Sequence, residues 1–218
     1  MSHNPARNAA MGLVLLFAMM TTSPFAQATQ TAYAQQDVDR LQALMKDASS
    51  QADSLLVRYR LYPLTEDESV LDNIPSSLSE GSAREYALLS GLWAYRAGEV
   101  SFFSAIQYGR QSTSLLEKAK EKAPEAPFVL LVEGQSLLFR PSLAGKDPDA
   151  AAERFARVSE IVADDDVDGI SQPEAQVWQC LALEEAGRSD EAEALRERLQ
   201  SRDLPSLYRQ FLDSPPDV

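Results

Sequence analysis

Histidine and cysteine are almost missing from this chain of 218 residues. The one histidine is His3 and the one cysteine is Cys180. Nucleophilic catalytic sites of the Ser-His-Asp and Cys-His types need a histidine that works together with the nucleophile. The usual zinc and haem ligand sets also depend on histidine or on several cysteines, and one cysteine cannot form an internal disulfide. We therefore expect a protein that is not an enzyme, with no catalytic residue and no cofactor.

Positive charge is also scarce. The chain has 20 Lys and Arg residues against 33 Asp and Glu residues, which gives a formal net charge of −13. A strongly acidic surface repels the phosphate backbone of nucleic acids and the headgroups of anionic lipids. We therefore expect no nucleic-acid partner.

The first 34 residues differ in character from the rest. Arg7 precedes an apolar run over residues 11–20, and two small-x-small sites follow, at residues 26–28 and 32–34. This order is typical of a signal peptide, with cleavage after Ala28 or after Ala34, and the run is too short for a stable membrane span. An uncleaved N-terminal anchor is the alternative. We expect residues 1–34 to be removed, leaving a periplasmic or secreted protein with no membrane insertion and a net charge of −14, because the segment holds Arg7 and no acid.

Helical periodicity dominates the remaining chain, and strand signals are scarce. Residues 35–81 are predicted to hold one long helix over 36–61, stopped by Pro63, and an acidic connection. Asp147 and Pro148 form a helix start with an N-cap and a first-turn proline. Three helix pairs are predicted, over about 82–97 with 100–123, 126–139 with 148–161, and 173–186 with 189–200. A short C-terminal helix and a polar tail over 213–218 follow, so we expect an all-α fold of about 7–8 helices.

The three pairs recur at a spacing of roughly 40 residues, as in solenoids of helical hairpins. The third pair resembles the tetratricopeptide repeat family in Trp178, in Cys180 at the small-residue position, and in the run from Ala186 to Ala192. The other pairs match less closely, in Gly134 and Phe155, and in Gly91, Ala119 and Pro124. The resemblance implies a right-handed superhelix of hairpins over residues 82–212. Cys180 is then expected to be buried and inert.

The resemblance also implies where a partner would bind. In the family, the first helices of the pairs line a concave groove that holds peptides. The corresponding positions here are Leu88, Leu92, Tyr95, Arg96, Leu131, Gln135, Leu138 and Phe139, of which we select Tyr95, Arg96, Gln135 and Phe139 as the candidate binding residues. The aromatic side chains of the first pair, including Phe102 and Phe103, are expected either in the core or in this groove.

Two functions follow from this placement. The first is an exported scaffold that binds a protein or peptide segment in the groove. The alternative is a transport-associated protein that binds a small molecule in an enclosed apolar pocket. An open concave face favours the scaffold, and a closed apolar cavity favours the small-molecule binder.

An acidic loop precedes the third pair. Asp164, Asp166 and Asp168 alternate before Gly169, as in the first half of a calcium-binding EF-hand loop. The twelfth loop position should be a glutamate but is Ala175, so the ligand set is incomplete. The alternative is a solvated linker whose acids favour the N-terminus of the next helix.

Overall fold

The computed structural model describes residues 22–216. Ten α-helices follow one another in this range: α1 (Pro24–Ala34), α2 (Val38–Asp47), α3 (Gln51–Thr65), α4 (Ala83–Gly98), α5 (Phe102–Lys122), α6 (Pro127–Phe139), α7 (Pro148–Ile161), α8 (Gln172–Glu185), α9 (Ser189–Gln200) and α10 (Ser206–Asp213). Two short 3-10 helices lie at Glu68–Leu71 and Ser142–Ala144. The all-α class is confirmed, since helices make up 72% of the structure and the described residues contain no strand. Between residues 22 and 216, no helix has the length and apolar content that a membrane span requires.

The predicted long helix over 36–61 is wrong in its boundaries, because two helices occupy this stretch. Helix α2 ends at Asp47, and Ser50 caps α3 by accepting a hydrogen bond from the Asp53 amide at 3.1 Å. Pro63 lies inside α3 and does not stop it. A proline close to the C-terminal end removes only a small part of the hydrogen-bond ladder, and α3 continues to Thr65.

Helix α1 lies within the segment that the sequence analysis assigns to the signal peptide. Ser23 caps it, Pro24 occupies its first turn, and it packs against α2, α3 and α10. The predicted n-region and the apolar run at residues 11–20 lie outside the described residues.

The three predicted helix pairs correspond to α4 with α5, α6 with α7, and α8 with α9. Small residues mark close contacts within two of them. A Cβ on Gly134 of α6 would come within 2.6 Å of Phe155 in α7, and the Cys180 thiol donates a hydrogen bond to the Ala192 carbonyl of α9 at 3.4 Å. Gly91 of α4 behaves differently, because its close neighbour is Tyr59 of α3 and not its own partner helix α5.

Helix α3 packs against α4, and its side chains reach the first helices of the other two pairs, α6 and α8. Its buried side chains surround the helix on every side, as expected for a helix enclosed by others: Leu55, Leu56, Val57, Tyr59, Arg60, Leu61 and Tyr62. Tyr59 contacts Gly91 of α4 and Phe128 of α6, while Arg60 reaches Glu174 of α8. Helix α1 in turn meets α10, so the N-terminal and C-terminal helices touch. The face on which the resemblance places a partner is therefore covered by the chain's own helices.

Candidate functional site

Tyr95 and Gln135, two of the predicted groove residues, contact helix α3. The Tyr59 hydroxyl donates a hydrogen bond to the Gln135 side-chain oxygen. The Tyr95 ring stacks on Tyr62 with centroids 4.9 Å apart and lies 5.6 Å from the Tyr59 ring. Burial raises the pKa of both the Tyr59 and the Tyr95 hydroxyls. These two residues act as packing partners of α3 in the structure.

Arg96 and Phe139 lie apart from that contact. Arg96 donates a hydrogen bond to the Leu71 carbonyl at 2.6 Å and so braces the first 3-10 helix. Phe139 is 39% exposed and packs edge-on against Trp178, with centroids 5.8 Å apart. The structure therefore does not bring the four predicted residues together into one open groove.

The most unusual polar feature is an ion pair between Arg60 of α3 and Glu174 of α8. Both side chains are almost fully buried, with relative exposures of 1% and 0%. The two guanidinium ends of Arg60 each donate to a carboxylate oxygen of Glu174, and the ring of Tyr33 lies 4.5 Å from the guanidinium carbon. Burial works against the charge of Arg60, but Glu174 outweighs it and the pKa of Arg60 rises. A bidentate arginine–carboxylate contact of this kind fixes the relative orientation of the two side chains, in addition to pairing their charges.

The acidic loop at residues 164–169 is anchored to the same region. Arg60 donates to the Gly169 carbonyl and Arg84 to the Asp168 carbonyl, both at 3.0 Å. Asp168 and Gly169 have positive φ angles of 57° and 80°, and this turn directs successive carbonyls at the two arginines. The loop is therefore a docking element that joins α7 and α8 to α3 and α4.

This anchoring bears on the calcium hypothesis for Asp164, Asp166 and Asp168. The Ile170 carbonyl, which an EF-hand would use as a ligand, accepts a hydrogen bond from the Val167 amide. Across residues 22–216, no group of three or more His, Cys, Asp or Glu side chains is placed to hold a metal ion. The calcium hypothesis for this loop therefore stays a prediction, and the Ile170 carbonyl serves the turn of the loop in the structure.

Sequence reasoning missed Arg60 and Glu174 as partners, since 114 residues separate them. A partial signal existed. Arg60 interrupts an apolar run of α3 whose positions face every side, so a buried arginine that needs a partner could be anticipated there. The identity of that partner depends on tertiary packing, which no local pattern encodes.

An exposed aromatic patch lies at the start of α5, and we call Phe102, Phe103 and Ile106 the α5 patch. Their side chains are 73%, 84% and 41% exposed, and the two phenylalanine rings meet edge-to-face at 5.8 Å. These phenylalanines occupy neither of the two places expected for them, the core or the groove. An aromatic side chain presents about 150–250 Å², so the patch offers roughly 300–400 Å² of apolar surface. The largest apolar patch on a typical monomer has about this extent and is often functional, and aromatic side chains are enriched in protein interfaces.

Cys180 is buried at the contact between α8 and α9. Burial raises the pKa of its thiol to about 11. At neutral pH the thiol is therefore protonated, and a protonated buried thiol is a poor nucleophile.

Two surface depressions among the described residues bear on the small-molecule alternative. One depression of about 360 Å³ lies between α1 and α2 and is open to solvent, with polar side chains such as Gln27, Thr31 and Arg40 in its wall. A second, of about 250 Å³, lies beside α3 near Arg58 and Asn73. Neither adjoins the buried ion pair or the α5 patch.

These observations define the class of the protein. It is an all-α protein of paired helices, and side chains of its third helix are buried among the others. Comparison with known proteins does not assign the chain to a family. No protein-family model, no curated protein and no solved structure matches this chain.

Proposed function

We propose that this protein is an exported, non-catalytic helical scaffold that binds a partner protein through the α5 patch. The observation that carries the proposal is the exposure of Phe102 and Phe103, which stand side by side on the surface. Covering a large apolar side chain contributes about 1.5–3 kcal/mol, so two buried phenylalanines are sufficient anchors for a specific contact. Export is supported by the signal-peptide pattern, and the lack of catalysis by the shortage of histidine and cysteine.

The size of the patch indicates the kind of partner. A stable interface between two folded proteins buries about 800 Å² on each side, roughly twice what the α5 patch offers. A peptide-like segment that inserts one or two apolar side chains fits the patch better. Because the protein is acidic, basic residues beside those anchors would add to the attraction. The groove of the repeat resemblance is a weaker candidate, since α3 packs against Tyr95 and Gln135.

Native purification of the tagged protein from the cell envelope tests this proposal. The double variant F102S/F103S removes the anchors. Leu143→Ser removes a fully exposed apolar side chain from the second 3-10 helix and serves as the matched control. We expect one partner to co-purify with the wild type and the control. The amount of partner recovered with the double variant should fall at least about 10-fold, because an anchor residue contributes about 2 kcal/mol or more to the binding free energy. Equal recovery with all three proteins would refute the α5 patch as the binding surface. A co-purifying small molecule without a protein would favour the transport-associated alternative.

A further inference from the structure

Helix α1 is built into the fold along its whole length. At its start, Ala26 is 1% exposed, and its carbonyl oxygen lies so close to Gly169 that an added Cβ there would come within 2.8 Å. In its middle, Gln30 donates hydrogen bonds to the Ser171 hydroxyl at 3.1 Å and to the Tyr208 hydroxyl. Near its end, Tyr33 is 3% exposed and covers the guanidinium group of Arg60.

Both predicted cleavage sites fall inside this helix. Cleavage after Ala28 would remove the Ala26 contact with Gly169 and cut α1 within its second turn. Cleavage after Ala34 would remove the entire helix, and with it Gln30 and Tyr33. Arg60 and Glu174 would keep each other as partners but lose the covering ring of Tyr33. The apolar side chains of α3 that pack with α1, such as Val57 and Leu61, would be exposed to water, which is unfavourable.

Buried polar residues in α1 strengthen this argument. Thr29 and Gln30 are 0% and 4% exposed, although neither type is common in protein interiors. The side chain of Gln30 meets a hydroxyl from α10 and the N-cap hydroxyl of α8, so its amide nitrogen has partners supplied by two distant elements. Such specific pairing is expected of an element that belongs to the functional fold, whereas a discarded leader has no need of it.

We propose that residues 23–34 are retained in the mature protein as helix α1, and that a leader peptidase, where it acts, cleaves on the N-terminal side of Ser23. The reaction is the hydrolysis of one peptide bond by water, which leaves a carboxylate on the leader and a free amine on the mature chain. The proposal rests on the proposed function only for export; the retention of α1 stands on the contacts above.

The test is to purify the protein from the envelope through a C-terminal tag, and to determine its N-terminal residue and intact mass. We expect an N-terminus at Ser23 or earlier. An N-terminus at Thr29 or Gln35 would overturn the proposal. Full-length protein found only in the cytoplasm, with residues 1–34 intact, would refute export while leaving the retention of α1 supported.

Two variants sharpen the result. Ala28→Gln blocks cleavage after residue 28, because that position of the cleavage site requires a small residue. We expect its processing to match that of the wild type, and accumulation of unprocessed protein would contradict the proposal. Gln30→Ala in the purified protein should lower the melting temperature by roughly 2–8 °C, whereas the exposed control Gln27→Ala should leave it unchanged. Equal melting temperatures for both variants would show that α1 is not docked.

Discussion

Replacing Glu174 by Gln is the perturbation that the structure makes most informative. The substitution keeps the shape of the side chain but leaves Arg60 charged, since arginine does not deprotonate in proteins. Arg60 would keep its hydrogen bond to the Gly169 carbonyl and its contact with the Tyr33 ring. It would lose the only carboxylate that pairs with it in the described structure. The Arg60 side chain is only 1% exposed, so its guanidinium group cannot reach water unless the contact between α3 and α8 opens.

Breaking a buried ion pair from one side destabilises a protein by about 3–5 kcal/mol. For a domain of this size, 1 kcal/mol shifts the melting temperature by about 2–4 °C, so we expect Glu174→Gln to lower it by roughly 6–20 °C. Thermal unfolding followed by circular dichroism, together with urea titration at constant pH, measures this change.

Two comparisons make the prediction decisive. Glu191→Gln removes a carboxylate from the exposed Arg188 pair and should change the melting temperature little, because surface pairs contribute little. The double variant R60M/E174L should be more stable than either single variant, because no buried charge remains without a partner. If Glu174→Gln behaved like Glu191→Gln, α3 would not be packed among the helix pairs as described.

Three further predictions concern packing. Gly91→Ala should destabilise the protein by about 1–3 kcal/mol in urea unfolding, because its Cβ would overlap the Tyr59 ring; no loss would contradict the close contact of α3 with α4. Gly109→Ala should stabilise it by about 0.5–1 kcal/mol, since a Cβ there meets no atom within 4 Å in the middle of α5, and a loss would refute the open surroundings. Cys180 should resist a thiol reagent at pH 8 until denaturant is added, and rapid labelling of the native protein would refute its burial.

Much of the helical architecture was predictable, because its signals are local. Asp147 caps α7 through the Ala150 amide, with Pro148 in the first turn, as its sequence indicates. Gly187 adopts a positive φ of 74° just after α8, in a run where the repeat resemblance expects a turn glycine. Caps and turn residues depend on a few neighbouring residues, so they were easier to predict than the boundaries of α2 and α3.

The candidate site was harder to predict, for a physical reason. The place of Tyr95 and Gln135 on the first helices of two pairs predicts a groove position, but sequence spacing does not reveal that α3 packs against them. Periodicity also cannot separate an apolar side chain in the core from one on the surface, so it predicts the core or the groove for Phe102 and Phe103, which are exposed. The Arg60–Glu174 pair depends on contacts across 114 residues, which local patterns do not record.

Hydrogen exchange of the purified protein, with and without its co-purified partner, tests the proposed binding at the α5 patch most directly. We predict slower exchange over residues 99–107, around the α5 patch, with the protection of α3 and α6 unchanged. Slower exchange in α6 together with faster exchange in α3 would contradict it, since that result would mean that the partner displaces α3 and binds in the groove.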